Sequence, residues 1–181
     1  MKALQEIWPK FLQLLWIPIL AIFEYVRYEY DIMAGFRFLF LLAVILIIYD
    51  YLQTKKHFQL FQHIAGHTSA TTTLMGISIV LAALDYDLAK ASILMMVLGD
   101  LFAGVVRRTL VKEKSDYWKS FAACFIGCLI AGFLVLSNPA FVLIMALVAS
   151  WVEAKIFVLD DNLFMVLLAG LTGQILRFLA M

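Results

Sequence analysis

ASILMMVLGDLFAGVV, residues 91–106, is the centre of a long apolar run that carries one acid, Asp100. A helix needs about 20 mostly apolar residues to cross a bilayer. An Asp at mid-membrane costs roughly 2.5–3.5 kcal/mol on insertion scales, so such a residue faces a cavity or a partner and marks function. Working outward, VEAKIFVLDDNL, residues 152–163, sets Glu153, Asp160, Asp161 and Asn162 between two further apolar runs. An acid eight residues before an Asp-Asn pair is an economical way to hold a divalent cation. Two such places in one small chain point to an active site.

Composition fits that reading. The 181 residues are 65% hydrophobic and 15% charged, with a mean hydropathy of +0.97, outside ordinary soluble usage and inside the membrane class. The expected fold is all-α: one polytopic membrane domain over residues 1–181, with about seven transmembrane helices. Runs of suitable length fall near 8–26, 36–53, 64–84, 88–106, 120–137, 139–158 and 163–180. The first is interrupted by Pro9, Lys10 and Pro18, and the third is rich in Ser, Thr and His. Asn138-Pro139 predicts a tight hairpin between the fifth and sixth. Trp8, Trp16, Trp118 and Trp151, with Tyr25, Tyr28, Tyr30, Tyr49 and Tyr51, cluster near span ends as interfacial aromatic residues do. Cys124 and Cys128, four apart in an apolar run, share a helix face and read as reduced packing residues. Met1–Lys10 carries charges of both signs and no small-residue cleavage site follows it, so no secretory signal is expected.

Lys and Arg set the orientation. Lys2, Lys10, Lys55, Lys56, Arg107, Arg108, Lys112, Lys114, Lys119 and Lys155 fall on one side of the expected spans, against Arg27, Arg37, Lys90 and Arg177 on the other. The bias puts the first set in the cytosol, together with the 107–119 loop and the Asp160–Asn162 turn. Asp100, seven residues before Arg107, lies about 10 Å below that face at 1.5 Å per residue. The acids and the basic loop can therefore converge. No internal repeat supports an inverted-repeat transporter.

Nucleoside triphosphate chemistry needs a metal to bridge phosphates and cations to absorb developing charge. Asp100, Glu153, Asp161 and Asn162 are the hard oxygen ligands Mg²⁺ prefers, and Arg107, Arg108, Lys112 and Lys119 are candidate nucleotide-binding cations. There is no G-x-x-x-x-G-K-[ST] loop and no protein-kinase signature, which excludes a soluble kinase fold carried on a membrane anchor. Each feature also has a plainer reading. The basic loop fits positive-inside topology, Asp100 fits a packing or ion-pair residue, Glu153 fits an interfacial pair with Lys155, and the Asp160–Asn162 turn fits a helix cap. Only convergence separates the two sets of readings. His63 and His67 share a helix face without a third ligand in view, and read as cavity-lining residues, His63 being a candidate acid/base group. His57, after Lys55-Lys56, reads as interfacial.

The segment Glu153-Ala154 followed by Asp161-Asn162-Leu163 resembles the E-A-x₆-D-N-L signature of the CTP-dependent lipid-alcohol kinases: dolichol kinase, phytol kinase and CTP-dependent diacylglycerol kinase. Gly99-Asp100 with Ala103 resembles the family's G-D-x-x-A motif, Lys119-Ser120 its K-S/T block, and His63-Ile64-Ala65-Gly66 its histidine block. The resemblance covers residues 55–170, with residues 1–53 as N-terminal helices and 54–181 as the kinase-like core. The chain departs from the pattern at Phe121-Ala122-Ala123-Cys124, at Arg107, at Val166 and at Gln59-Leu60, and so resembles a divergent member. The resemblance implies transfer of the γ-phosphate of CTP, with Mg²⁺ or another divalent cation, to the hydroxyl of a polyprenol, phytol-like alcohol or diacylglycerol at a cytosol-facing site. On that basis Asp100, Glu153 and Asp161 are catalytic or metal groups, Asn162 a neutral ligand, and Lys119 a phosphate contact. No nucleic-acid partner is expected. The alternatives are a CDP-lipid synthase, which needs a longer charged segment than this chain has, and an inactive cation-binding or structural membrane protein.

Overall fold

The computed structural model describes residues 13–54, 70–110, 117–155 and 161–181. Among these there is no strand. After a 3₁₀ turn at Gln13–Leu15, the chain forms α1 (Trp16–Glu29), α2 (Ile32–Thr54), α3 (Ala70–Ala83), α4 (Tyr86–Thr109), α5 (Tyr117–Phe133), α6 (Pro139–Lys155) and α7 (Asp161–Leu179). The all-α expectation holds, with helices close to the apolar runs. The first run begins later, at Trp16, its earlier part lying outside the described residues. Pro18 does not interrupt α1: it falls in the first turn, where a missing N–H has no helical acceptor to lose. The fifth helix ends at Phe133, four residues before its apolar run does, because Val135 and Leu136 N–H groups both turn back to the Gly132 carbonyl. The expected Asn-Pro hairpin follows. Asn138 Oδ1 accepts the Ala140 N–H at 3.0 Å, and Pro139 opens α6 where its fixed φ suits a helix start.

The core is organised around α4. Twelve of its residues, from Leu88 to Gly104, are buried, so the helix is apolar on nearly every side, as a central helix must be. It packs most closely on α5, and also on α6 and α7. In turn α7 packs on α6 and α3, and α2 bridges α3 and α1. Small residues allow the α4–α5 approach. On α5 Ser120, Ala123, Cys124, Gly127, Cys128 and Ala131 form the buried face. A Cβ on Gly127 would lie 2.7 Å from the Leu98 carbonyl oxygen and 3.2 Å from Gly99 Cα. Backbone touches backbone there, a mode of helix packing that depends on residues with little or no side chain. Cys124 and Cys128 are free thiols buried in this seam, 3.9 Å apart.

Polar side chains tie the helix ends at the opposite end of the bundle from Glu153. Asp85, in the α3–α4 turn, donates its N–H to Gln174 Oε1 at 3.1 Å. Its carboxylate accepts from Gln174 Nε2 at 3.1 Å and pairs with Arg177 at 3.0 Å. Glu24 pairs with Lys90 at 3.0 Å, and Arg27 lies 4.0 Å over the Tyr86 ring. Three of the four basic residues expected to share a side are thus gathered at one end, although on sequence they lie in three separate helices. Among the described residues, two helices are long and apolar enough to cross a membrane by length and composition: Tyr86–Thr109 and Asn162–Leu179.

The α4–α5 seam gives a direct test. A methyl group at 127 has to displace a carbonyl rather than a flexible side chain, so Gly127→Ala should destabilise the protein by about 1–3 kcal/mol. Gly76→Ala, which meets only the side chains of Val166 and Leu163 within 3.0 Å, should cost less. Thermal unfolding of the two variants in detergent checks the order.

Candidate functional site

Gly99 sets the height at which α4, α5 and α7 meet. A Cβ on it would lie 2.5 Å from Met165 Cε, 2.7 Å from Cys128 Sγ and 3.1 Å from Cys124 Sγ. Asp100 is the next residue and is fully buried. Cys124 of α5 lies within reach of its charge and beside the Ser150 hydroxyl of α6. Asn162, 3% exposed, precedes Met165 by three residues. It therefore shares that face of α7 one turn nearer the chain's Glu153 end. Glu153, in the last turn of α6, is equally buried.

Arg107 closes this end. It stands two turns after Asp100 on the same face of α4, and its Nη2 donates to Glu153 Oε1. The two partners differ in access: the Glu153 side chain is 1% exposed and that of Arg107 39%. A carboxylate so enclosed requires a cation or several hydrogen bonds to remain ionised, and the guanidinium supplies both charge and donors. Arg107 and Arg108 also occupy the last turn of α4, where positive charge complements the helix dipole. Arg108 itself points outward and is exposed. Lys119 is half-buried in the first turn of α5. The Ser120 hydroxyl beside it reaches the Ala103 carbonyl at 3.5 Å, which holds the start of α5 one turn of α4 before Arg107.

The structure thus brings Asp100, Arg107, Lys119, Glu153 and Asn162 to one end of the bundle from four helices. Glu153 pairs with Arg107, and the expected pairing with Lys155 lies outside the described residues, since nothing of the Lys155 side chain is described. Also outside them are His57, His63, His67, Lys112, Lys114 and Asp160, and for Asp161 only the backbone is described, opening α7. Ser120, named with Lys119 in the K-S/T block, is buried. Sequence reasoning missed the buried hydroxyl of Ser150, which had no signal beyond lying three residues before Glu153.

The donor set bears on a metal. Among the described residues, no three or more His, Cys, Asp or Glu side chains group to hold one. Mg²⁺ seldom needs such a cage, since it keeps several waters and takes one or two carboxylates plus substrate phosphates. The carboxylates of Asp100 and Glu153 and the amide of Asn162 are hard oxygen donors of the type that ion takes and softer metals take poorly. No protein-family model, no curated protein and no solved structure matches this chain.

The ion pair predicts a non-additive pattern. Removing one partner deprives the other of a charged contact in a half-buried setting, so Arg107→Met or Glu153→Leu alone should cost about 1–4 kcal/mol, between the limits for exposed and buried pairs. The double variant should recover most of that loss. Unfolding of the three proteins in detergent, as a double-mutant cycle, measures it.

Proposed function

We propose that this chain is a polytopic membrane kinase that transfers a phosphoryl group from a nucleoside triphosphate, CTP by family resemblance, to the hydroxyl of a lipid alcohol. The observation that carries the reading is the shared burial, at one end of the bundle, of Asp100, Glu153 and Asn162 from α4, α6 and α7. These same residues lie in the G-D-x-x-A and E-A-x₆-D-N-L motifs. Packing alone gives no reason for three polar groups to be sequestered together beside Arg107 and Lys119.

A membrane setting is supported by the inverted distribution of polarity. Phe40, Leu41, Ile45, Ile48, Ile126, Ile130, Leu143, Leu147 and Ile175 are exposed on the outside of the bundle, while the acids lie inside. Soluble monomers rarely expose apolar surface on this scale. The α2 helix, of 23 residues, is also long enough to span, at about 1.5 Å per residue. With successive helices reversing direction, the Arg107–Glu153 end faces the cytosol by the Lys/Arg bias, where nucleotide is found.

In this reading Lys119 and Arg107 hold the triphosphate, Lys119 as a point charge on a flexible stem and Arg107 as a planar fork. Asp100, Glu153 and Asn162 fix the geometry on the opposite side, with Asp161 as the remaining motif acid. A divalent cation held by the carboxylates would neutralise charge developing on the transferred phosphoryl group. The apolar exterior lets the acceptor's hydrocarbon chain stay in the bilayer while its hydroxyl approaches from the headgroup level. Closing of the site by the helices excludes water, which is the competing acceptor.

Radiolabelled CTP and ATP, offered with a panel of polyprenol, phytol-like alcohol and diacylglycerol in detergent, should yield a phosphorylated lipid and the nucleoside diphosphate. Release of pyrophosphate would indicate a cytidylyltransferase, and no turnover of any kind an inactive protein. Lys119→Ala should lower turnover at least about a hundredfold, with Lys119→Arg intermediate. Asp100→Asn should abolish turnover yet raise the unfolding temperature, since it removes a buried charge; a destabilised but fully active variant would make Asp100 a packing residue.

Topology has its own test. In a background lacking Cys124 and Cys128, single cysteines replacing Ser115 and Asp161 should label from one side of the membrane, and a cysteine replacing Asn138 from the other. Opposite labelling of positions 115 and 161 would dismantle the site, because one triphosphate could not meet both.

A further inference from the structure

One helical turn inside the candidate site, three sulfur side chains are gathered on Gly99. We infer that Gly99, Cys124, Cys128 and Met165 are positioning residues: the seating of the three sulfur side chains on Gly99 sets the spacing of Asp100, Glu153 and Asn162 from one another. This rests on the kinase reading of the site and adds to it the part of the core on which the site's geometry depends.

Each contact of this layer is one short step along a helix from a polar group of the site. Asp100 follows Gly99 directly on α4. Met165 of α7, whose Cε would lie 2.5 Å from a Cβ on Gly99, is one turn from Asn162. Cys124 of α5 lies beside Ser150 of α6, and Ser150 is one turn from Glu153. The Ser150 hydroxyl is itself fixed by donating to the Ala146 carbonyl at 2.7 Å. All four helices, α4 to α7, therefore reach the layer, and the three sulfur side chains are fully buried.

The stiffness of the three contacts differs. Met165 ends in a flexible thioether that re-seats readily. A cysteine has a single side-chain torsion, and Cys128 is braced by donating its thiol to the Met95 carbonyl at 3.5 Å, with Cys124 3.9 Å away. Beside it, Gly127 already meets the Leu98 backbone, so α4 cannot move towards α5. Bulk added at Gly99 must displace α4, and Asp100 with it, because a packed interior transmits strain. A misplacement of about 1 Å can cost about a hundredfold in rate. The far end of α7 supplies a comparison. A Cβ on Gly173 would lie 2.7 Å from Met145 Sδ and 3.0 Å from Leu88 Cδ2, crowding of the same kind, about 12 Å beyond Met165 at 1.5 Å per residue.

The test compares Gly99→Ala with Gly173→Ala in the full chain in detergent. It reads kcat and KM with CTP and the lipid alcohol that wild type phosphorylates, Mn²⁺ binding in the presence of CTP by electron paramagnetic resonance, and unfolding temperature. Both variants should unfold at a lower temperature, as overpacked cores do. Gly99→Ala alone should lower kcat by about tenfold to a hundredfold and weaken Mn²⁺ binding with CTP, while Gly173→Ala keeps the wild-type values of both. Adding Cys128→Ala to Gly99→Ala removes the stiff obstacle and should recover most of the lost kcat, the coupling expected of residues in contact. If Gly99→Ala does not purify folded, Met165→Ala takes its place: it unseats α7 from Gly99 and should lower kcat over the same range, with Met165→Leu, of similar volume, losing less. A kcat that falls equally at both ends of the bundle, or at neither, in a protein that does turn over, makes the sulfur layer ordinary packing and overturns this inference alone. A wild-type protein that phosphorylates no lipid alcohol with CTP or ATP removes the kinase reading and this inference together.

Discussion

A carboxylate enclosed among apolar side chains must keep a cation beside it, and the Glu153–Arg107 pair is where this bundle meets that demand most plainly. Glu153 sits at the C-terminal end of α6 and Arg107 at that of α4. The pair therefore fixes the relative height and rotation of two helices that run in the same direction. Desolvating both charges fully would cost several kcal/mol per ion. Leaving the guanidinium partly in solvent reduces that cost. The far end is built differently. There Asp85, Gln174 and Arg177, with Glu24 and Lys90, are partly exposed, so they align helix ends without enclosing charge.

Between the two ends the fold depends on α4 being approached from several sides at once. Its small residues and those of α5 bring backbones into contact at Leu98–Gly127, and that contact lies immediately before Asp100. The acid is therefore placed by the most tightly packed part of the molecule, next to the thiols of Cys124 and Cys128. Sites held by rigid, packed elements keep the geometry that phosphoryl transfer depends on. The seam around Gly99 is suited to such a role, and in the proposed enzyme it would hold the acids steady at the end of the bundle where Arg107 and Lys119 lie.

Local signals made much of this legible in the chain itself. Apolar runs of helical length, the Asn138-Pro139 turn and the isolated acids are set by composition and neighbouring residues, and the helices follow them within a few residues. The shared side of Arg27, Lys90 and Arg177 was legible too, because alternating helices carry it from end to end. The resemblance of the Asp100 and Glu153–Leu163 segments to lipid-alcohol kinase motifs is likewise a property of spacing. It remains the ground on which the proposed activity stands.

By itself, then, the sequence determined an all-helical chain, the ends of most helices, and the residues too polar for their surroundings. Only the tertiary structure decided their partners. The sequence offered Arg107 for phosphate and Glu153 for metal or Lys155, and gave no sign that these two side chains meet, because adjacency in sequence says nothing about which face of one helix meets another. The packing of α4 on α5, which sets where α6 meets both, is fixed by contacts spread over the whole seam, from Met95 against Gly132 to Ser120 against Ala103. No single segment contains that information. The pairing of a buried acid with the arginine of another helix is a consequence of packing, and packing is summed over the molecule.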